Sequence, residues 1–171
     1  MNRCIMFGLS LIVAGLVPVS ARAATTKIEK TFGNWRVECV ETTKDKKCGL
    51  VFALVNKKAK QLVFGWSIIP AKDGAGNKTV IRTLTGTDLA AGVTVDFPGA
   101  EPIKIPYKTC GPRNCFAEVE FSDAWLKAFN SQQSLTVNYN AANGKALKQQ
   151  VDLKNFKEAY DFFLTQAKPA Q

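Results

Sequence analysis

Five cysteines and a complete absence of histidine limit the chemistry open to this 171-residue chain. Without histidine, the chain cannot assemble a Ser-His-Asp or Cys-His catalytic set, nor a histidine-ligated zinc or haem site. One cysteine, Cys4, lies within the first 23 residues. The other four are Cys39, Cys48, Cys110 and Cys115. A zinc site made of four cysteines would need paired C-x2-C spacings, whereas these pairs are C-x8-C and C-x4-C. We therefore expect no metal and no cofactor at these cysteines.

The remaining chemistry for these four cysteines is thiol redox or disulfide formation. A redox-active pair is normally C-x-x-C at the start of a helix, but a turn-like segment over 111–114 separates Cys110 from Cys115. The first 23 residues have the pattern of an export signal, and an even number of cysteines in an exported chain predicts two structural disulfides. Three pairings are possible, and locality favours Cys39–Cys48 with Cys110–Cys115. A long-range pair such as Cys39–Cys115 would constrain the unfolded chain more, so stability alone does not exclude it.

No other set of side chains in the sequence matches a catalytic arrangement. Glu118 and Glu120 lie on one face of a predicted strand, opposite its apolar residues, which indicates a solvated strand face and not an acid–base pair. The sequence has no G-x-S-x-G or S-x-x-K motif, no phosphate-binding loop and no dinucleotide fingerprint. We therefore expect a non-enzymatic protein. The alternative is a thiol-redox or other periplasmic enzyme that uses Cys110 and Cys115.

The chain is basic, with 23 Lys+Arg residues against 14 Asp+Glu residues and a formal net charge of +9. Six lysines in predicted loops form a candidate surface for an anionic partner: Lys44, Lys46, Lys47, Lys57, Lys58 and Lys60. They fall into two clusters at opposite ends of a predicted strand over 50–55, so we do not expect one continuous stripe. The alternative is that the charge serves only solubility. Lysine outnumbers arginine and no aromatic residues alternate with the basic ones, so we expect no nucleic-acid partner.

The first 23 residues have the pattern of an export signal. Arg3 precedes an apolar run that ends near Val19, and Ala21-Arg22-Ala23 is a small-x-small cleavage pattern. Because the run is shorter than the roughly 20 residues that span a bilayer, cleavage is favoured over a membrane anchor. We predict a signal peptide over 1–23 and one domain over 24–171, with no transmembrane segment in the mature form. The location would be periplasmic, secreted or associated with the cell envelope.

The rest of the sequence predicts mainly β structure, a sandwich or rolled antiparallel sheet with two short helices towards the C-terminus. A continuous apolar run over 50–55 indicates a strand buried on both faces. Alternation over 103–109 predicts one strand, with its proline at an edge or bulge. Ser122 is predicted to cap the first helix, and Asn155, with Glu158 as a partial capping box, the second.

Three stretches of sequence occur together in this chain. They are Phe32-Gly33-Asn34-Trp35-Arg36-Val37-Glu38-Cys39, Cys48 at the start of an apolar strand, and Tyr107-Lys108-Thr109-Cys110 followed by Cys115-Phe116-Ala117. In combination they resemble the invasion-associated locus B family of exported bacterial proteins, over roughly residues 32–164. Asn34 stands where that family usually has aspartate. Asn114 stands where glycine is common, and asparagine tolerates a positive φ better than most residues.

This resemblance implies a periplasmic or envelope-associated protein that brings no catalytic residues and is linked to host-cell invasion in some pathogens. Together, the residues and the resemblance predict an exported, disulfide-stapled binding or interaction module. Its partner would be a protein or an anionic ligand of the envelope or of a host surface, and the oligomeric state is left open. A structural envelope component is a further alternative.

Overall fold

The computed structural model describes residues 25–42, 45–72 and 76–167, so the predicted signal peptide over 1–23 and Lys44 lie outside the described residues. Along the described chain the elements are β1 (Thr26–Phe32), β2 (Trp35–Glu41), β3 (Lys46–Asn56), β4 (Gln61–Pro70), β5 (Asn77–Leu84), β6 (Val93–Asp96), β7 (Ile103–Ile105), β8 (Tyr107–Cys110), β9 (Asn114–Glu120), α1 (Asp123–Ser131), β10 (Ser134–Asn140), β11 (Ala146–Asp152) and α2 (Phe156–Gln166). The prediction of a mainly β fold with two helices, the second near the C-terminus, is confirmed.

The larger sheet has seven antiparallel strands in the order β1-β2-β3-β4-β5-β9-β8. Its first five strands form successive hairpins, so each strand lies beside the one that precedes it in sequence. Cys39 and Cys48 are partners in the β2–β3 ladder, and Cys110 and Cys115 are partners in the β8–β9 ladder. The antiparallel register thus brings each local cysteine pair together.

The smaller sheet has four antiparallel strands in the order β11-β10-β6-β7. The predicted single strand over 103–109 is wrong, because the chain leaves the smaller sheet after β7 and enters the larger one as β8. Pro106 lies between these two edge strands and belongs to neither. A proline has no backbone N–H to donate to a ladder, which makes this position suitable for the crossing.

One hydrophobic core joins the inner faces of the two sheets and the buried faces of both helices. Aromatic side chains fill its centre, where Phe129 of α1 packs against Trp35, Trp66 and Phe156 at ring-centroid distances of 6.2, 5.4 and 4.7 Å. Ser122 caps α1, since its side chain accepts a hydrogen bond from the backbone N–H of Trp125. Both helices therefore pack against the inner side of the larger sheet.

Two local expectations are corrected, and the structure adds one strand. The run over 50–55 is buried on one face only: Leu50 and Phe52 are buried, whereas Val55 is 51% exposed. Asn155 stands at the N-cap position of α2, but its backbone is left-handed with φ 62° and its side chain makes no capping hydrogen bond. Finally, β1 is absent from the predicted strands, although it pairs with β2 along its whole length.

Candidate functional site

The two lysine clusters lie at opposite ends of β3. Lys46 and Lys47 are its first two residues, whereas Lys57, Lys58 and Lys60 lie in the turn that follows its last residue. A strand rises about 3.3 Å per residue, so the length of β3 separates the clusters by roughly 35 Å. The structure therefore does not bring the six lysines into one surface, and each end has its own surroundings.

The turn over 57–60 is fixed by the residue that precedes it. The Oδ1 atom of Asn56 accepts hydrogen bonds from the backbone N–H groups of Lys58 and Ala59, at 3.0 and 3.1 Å. Lys60 then adopts a positive φ of 48°, and Asn56 pairs with Gln61 to begin the β3–β4 ladder. Asparagine favours such turns because its side chain replaces a backbone acceptor. The lysines are thus held on a defined hairpin loop.

A second turn, between β8 and β9, carries Arg113. The Cys110–Cys115 disulfide closes this turn, and the N–H of Gly111 donates to the carbonyl oxygen of Asn114 at 2.8 Å. The carbonyl oxygen of Arg113 accepts from the N–H of Thr85 at 3.2 Å, which ties the turn to the end of β5. Both bonds and the disulfide restrict the backbone at the base of the arginine side chain.

Strand pairing brings the two turns together at one end of the larger sheet. β4 pairs with β5, where Gly65 faces Arg82, and β5 pairs with β9, where Leu84 faces Asn114. Since these strands are antiparallel, the start of β4 and the start of β9 lie at the same end of the sheet. A cleft of about 410 Å³ lies between them. We call it the basic cleft, and its lining residues are Ala59, Lys60, Gln61, Leu62, Arg113 and Asn114.

Arg82 adds a further cation on the same face of the sheet. A methyl group placed on Gly65 would lie 3.5 Å from Leu62 Cδ2 and 3.9 Å from Arg82 Nε, so both side chains gather over that glycine. The guanidinium carbon of Arg82 lies 5.8 Å from the ring centroid of Phe116. Its Nε is buried and has no hydrogen-bond partner within the described residues. A positive charge that forms no ion pair within the described part of the chain thus lies beside Leu62, which lines the basic cleft.

The basic cleft has no acidic residue in its lining, and none of its cations forms an ion pair with another described residue. The opposite end of β3 differs, because Lys47 Nζ lies 3.2 Å from Asp45 Oδ2. A cleft of about 630 Å³ at that end includes Asp45 together with Lys46, Lys47 and Lys72. Its aspartate partly neutralises those lysines. The basic cleft is therefore the stronger candidate for binding an anion.

Glu118 lies on the outer face between two lysines and does not pair with Glu120 for acid–base chemistry. Lys78 and Lys108 donate to its Oε2 atom at 2.9 and 3.0 Å. Hydrogen bonds from Lys78 and then Lys108 hold the pKa of Glu118 below its usual value. A general acid needs a raised pKa, so this carboxylate is a structural anion and not a proton donor.

Both cysteine pairs form disulfides, Cys39–Cys48 and Cys110–Cys115, which are the local pairs favoured by the sequence. Cys39 and Cys48 are buried, with exposed fractions of 0% and 7%, whereas Cys110 is exposed. Within the described residues, no group of three or more Cys, Asp or Glu side chains could hold a metal ion. The cysteines therefore stabilise turns and ladders in this structure, and one of the two disulfides closes the turn of the basic cleft.

Sequence reasoning did not find Arg82 and Arg113 as parts of the candidate surface. A signal existed for Arg113, since the segments 57–62 and 111–116 both contain basic residues and no acidic ones. Their proximity depends on the pairing of β5 with β9, and many other residues lie between these strands in sequence. Local pattern alone cannot supply that information.

The fold and most of the sequence of this chain are similar to those of known proteins. No helix among the described residues is long and apolar enough to cross a membrane. No protein with a curated description matches the chain by sequence. The fold is similar to the crystal structure of invasion associated protein B from Bartonella henselae, with a TM-score of 0.67, 19% sequence identity, and coverage of 81% of this chain and 95% of that chain. The family model for the invasion associated locus B (IalB) protein matches residues 35–163. The chain therefore belongs to the invasion-associated locus B family.

Proposed function

We propose that this protein is an exported, non-enzymatic protein of the cell envelope that binds an anionic partner through the basic end of its larger sheet. The observation that carries the proposal is the basic cleft, where Lys60 and Arg113 come together from two separate hairpins without an acidic neighbour. Lys57 and Lys58 extend this positive surface on the same turn. Fixed cations of one sign attract anionic ligands and increase the rate of encounter.

Several features support a location outside the cytoplasm. The two disulfides are of the kind that persists in oxidising compartments, and membership of the family fits an envelope protein. The predicted signal peptide over 1–23 would supply the route of export. The family name links the fold to invasion, so in a pathogen the anionic partner would include ligands of the host-cell surface.

The experiment compares two charge-reversed variants for binding to envelope fragments of the source bacterium by co-sedimentation. One variant reverses the turn beside the cleft, Lys57→Glu, Lys58→Glu and Lys60→Glu. The matched control makes the same change in charge at the opposite end of β3, Lys46→Glu, Lys47→Glu and Lys72→Glu. We expect the first variant to bind much less than the control. Equal binding by both variants and the unmodified protein would show that the basic end is not the binding surface.

A further inference from the structure

We propose that the basic cleft is a binding site for a single phosphate group, an inference that rests on the proposed function and assigns its ligand chemistry. The cleft of about 410 Å³ is large enough for one compact anion and its nearest substituents. Its cations come from opposite walls, Lys60 from the β3–β4 turn and Arg113 from the β8–β9 turn. An anion between the walls would contact both.

The donor set suits phosphate. A guanidinium group presents paired N–H donors that match two oxygens of a phosphate, whereas a lysine ammonium acts as a compact point charge. The basic cleft offers one of each, together with the side-chain amide of Gln61. The remaining amide, of Asn114, already donates to the carbonyl oxygen of Thr83 at 3.2 Å and thereby holds that wall in place.

Arg82 provides an independent observation that favours an anion. Its Nε is buried and has no hydrogen-bond partner within the described residues. Because Arg82 is not itself a lining residue of the basic cleft, it acts on an anion there through the attraction of its charge. Its side chain meets Leu62, a lining residue, over Gly65. The guanidinium carbon of Arg82 lies 5.8 Å from the ring centroid of Phe116, and Arg82 forms no ion pair with a described acidic residue. This charge favours an anion in the adjoining basic cleft.

An exposed apolar residue beside the cleft would suit a phosphate carried by an amphiphile. Val55 is 51% exposed and is the ladder partner of Leu62, which lines the cleft. A lipid phosphate would place its charged group between Lys60 and Arg113 and its apolar part against Val55. Free phosphate has the same charged group and lacks the apolar part, so binding assays can separate the two sources.

The test uses the isotopically labelled mature protein and follows its amide signals by NMR while inorganic phosphate is added. We expect shifts concentrated at Lys60, Gln61, Leu62, Arg113 and Asn114. The key variant is Arg113→Lys, which keeps the charge and removes the paired donors, and should weaken phosphate binding about tenfold. The control, Lys46→Gln, removes a charge at the other end of β3 and should leave the affinity unchanged. Thermal unfolding of each variant checks that it is folded.

A second arm measures co-sedimentation with phosphatidylcholine vesicles that contain phosphatidic acid, with and without inorganic phosphate as competitor. Binding to vesicles that Arg113→Lys weakens identifies a lipid phosphate as the source. Binding of inorganic phosphate at the cleft without vesicle binding identifies free phosphate. Both outcomes support the site. Shifts spread over all surface lysines, or an Arg113→Lys variant that binds phosphate as tightly as the unmodified protein, would overturn it.

The two proposals fail in different ways. If reversal of Lys57, Lys58 and Lys60 abolishes binding to envelope fragments while Arg113→Lys has no effect on any probe, the basic surface stands and the phosphate site is refuted. If phosphate binds at the cleft and depends on Arg113, but envelope fragments bind the charge-reversed variant normally, the site stands and the proposed function is wrong.

Discussion

The indole Nε1 of Trp35 donates a hydrogen bond of 2.9 Å to the backbone carbonyl oxygen of Asp152. Trp35 is the first residue of β2 in the larger sheet, and Asp152 is the last residue of β11 in the smaller one. The same aspartate accepts from the side chain of Asn34 at 2.9 Å and from the backbone N–H of Lys154 at 2.9 Å. The start of the Trp-x-Val-x-Cys stretch thus joins the two sheets, which gives this stretch a structural role.

Replacement of Trp35 by phenylalanine removes this donor and leaves the part-buried carbonyl oxygen of Asp152 without its partner. Trp35 is fully buried, so the loss combines an unpaired polar group with a small cavity. We expect the free energy of unfolding to fall by about 2–4 kcal/mol, measured by urea denaturation. Asn34→Ala is the control, because it removes an exposed bond to the same aspartate and should cost less than about 1 kcal/mol. Equal losses in both variants would contradict a sheet-joining role for the indole.

Local signals in the sequence predicted the elements well where the backbone conformation is decided nearby. Ser122 caps α1 as expected, because a serine before an amphipathic segment has few alternatives. Asn155 does not cap α2 through its side chain, because its backbone is left-handed, a conformation that asparagine tolerates better than most residues, and its side chain makes no capping hydrogen bond there. Similarly, nothing near Pro106 indicates that the strands on its two sides belong to different sheets.

The candidate site shows the same division. The composition of residues 57–60 predicts the lysine turn, and the spacing of the cysteines predicts the local pairs. That Arg113 joins Lys60 depends on β5 lying between β4 and β9, which is a contact between distant parts of the chain. Single-sequence patterns report the faces of strands but not the order of strands in a sheet, so the cleft itself could not be predicted.

Glu118 should make stability depend on pH in the acidic range. Its pKa is lowered in the folded protein by Lys78 and Lys108, from an ordinary value of 4.5. A carboxyl group with a lowered pKa stabilises the fold above its unfolded pKa, and this contribution is lost as the pH falls through the folded pKa. Glu118→Gln should therefore be less stable than the unmodified protein at pH 7, by about 1 kcal/mol or less, because Lys108 is largely exposed.

The difference between the unmodified protein and Glu118→Gln should shrink below about pH 4.5 and vanish at still lower pH, when Glu118 is protonated in both states. Thermal unfolding of both proteins, measured from neutral pH to below pH 4.5, gives this difference in stability as a function of pH. Glu120→Gln is the matched control, since it removes the same charge from the same strand at an exposed residue that has no ion pair within the described part of the chain. A gap between Glu118→Gln and the unmodified protein that stays constant with pH would refute the role of the two lysines.

Gly92 should resist substitution because of a close approach to the crossing between the sheets. Its φ is +71°, and a Cβ atom there would lie 2.7 Å from the carbonyl oxygen of Ile105. Gly99 has a similar φ of +77° with nothing within 4 Å, so it isolates the cost of the backbone conformation alone. We expect Gly92→Ala to lower the free energy of unfolding, measured in urea, by about 1–3 kcal/mol more than Gly99→Ala does. Similar losses of stability in both variants would mean that the backbone of β7 moves away from the added Cβ atom at little cost.

The two disulfides should differ in their resistance to reductant. Cys39 and Cys48 are buried, and Cys48 Sγ lies 3.4 Å from the carbonyl oxygen of Gln166 at the end of α2. Cys110 is exposed on an edge strand. Reductant needs access to a sulfur atom, so under native conditions Cys110–Cys115 should open first. Alkylation followed by mass spectrometry measures the order, and denaturant, which exposes both pairs, should remove the difference.

Loss of the Cys110–Cys115 disulfide should also reveal whether that bond serves structure or catalysis. The Cys110→Ser and Cys115→Ser double variant should lose about 2 kcal/mol of stability, because the unfolded chain regains the entropy that the short closed loop removed. It should also bind phosphate more weakly, because the turn that carries Arg113 is then less restricted. Phosphate titration and urea unfolding of this variant measure both effects. A redox enzyme would instead show thiol–disulfide exchange activity in the unmodified protein that the double variant lacks. Detection of that activity, with phosphate binding unchanged in the double variant, would favour the redox alternative.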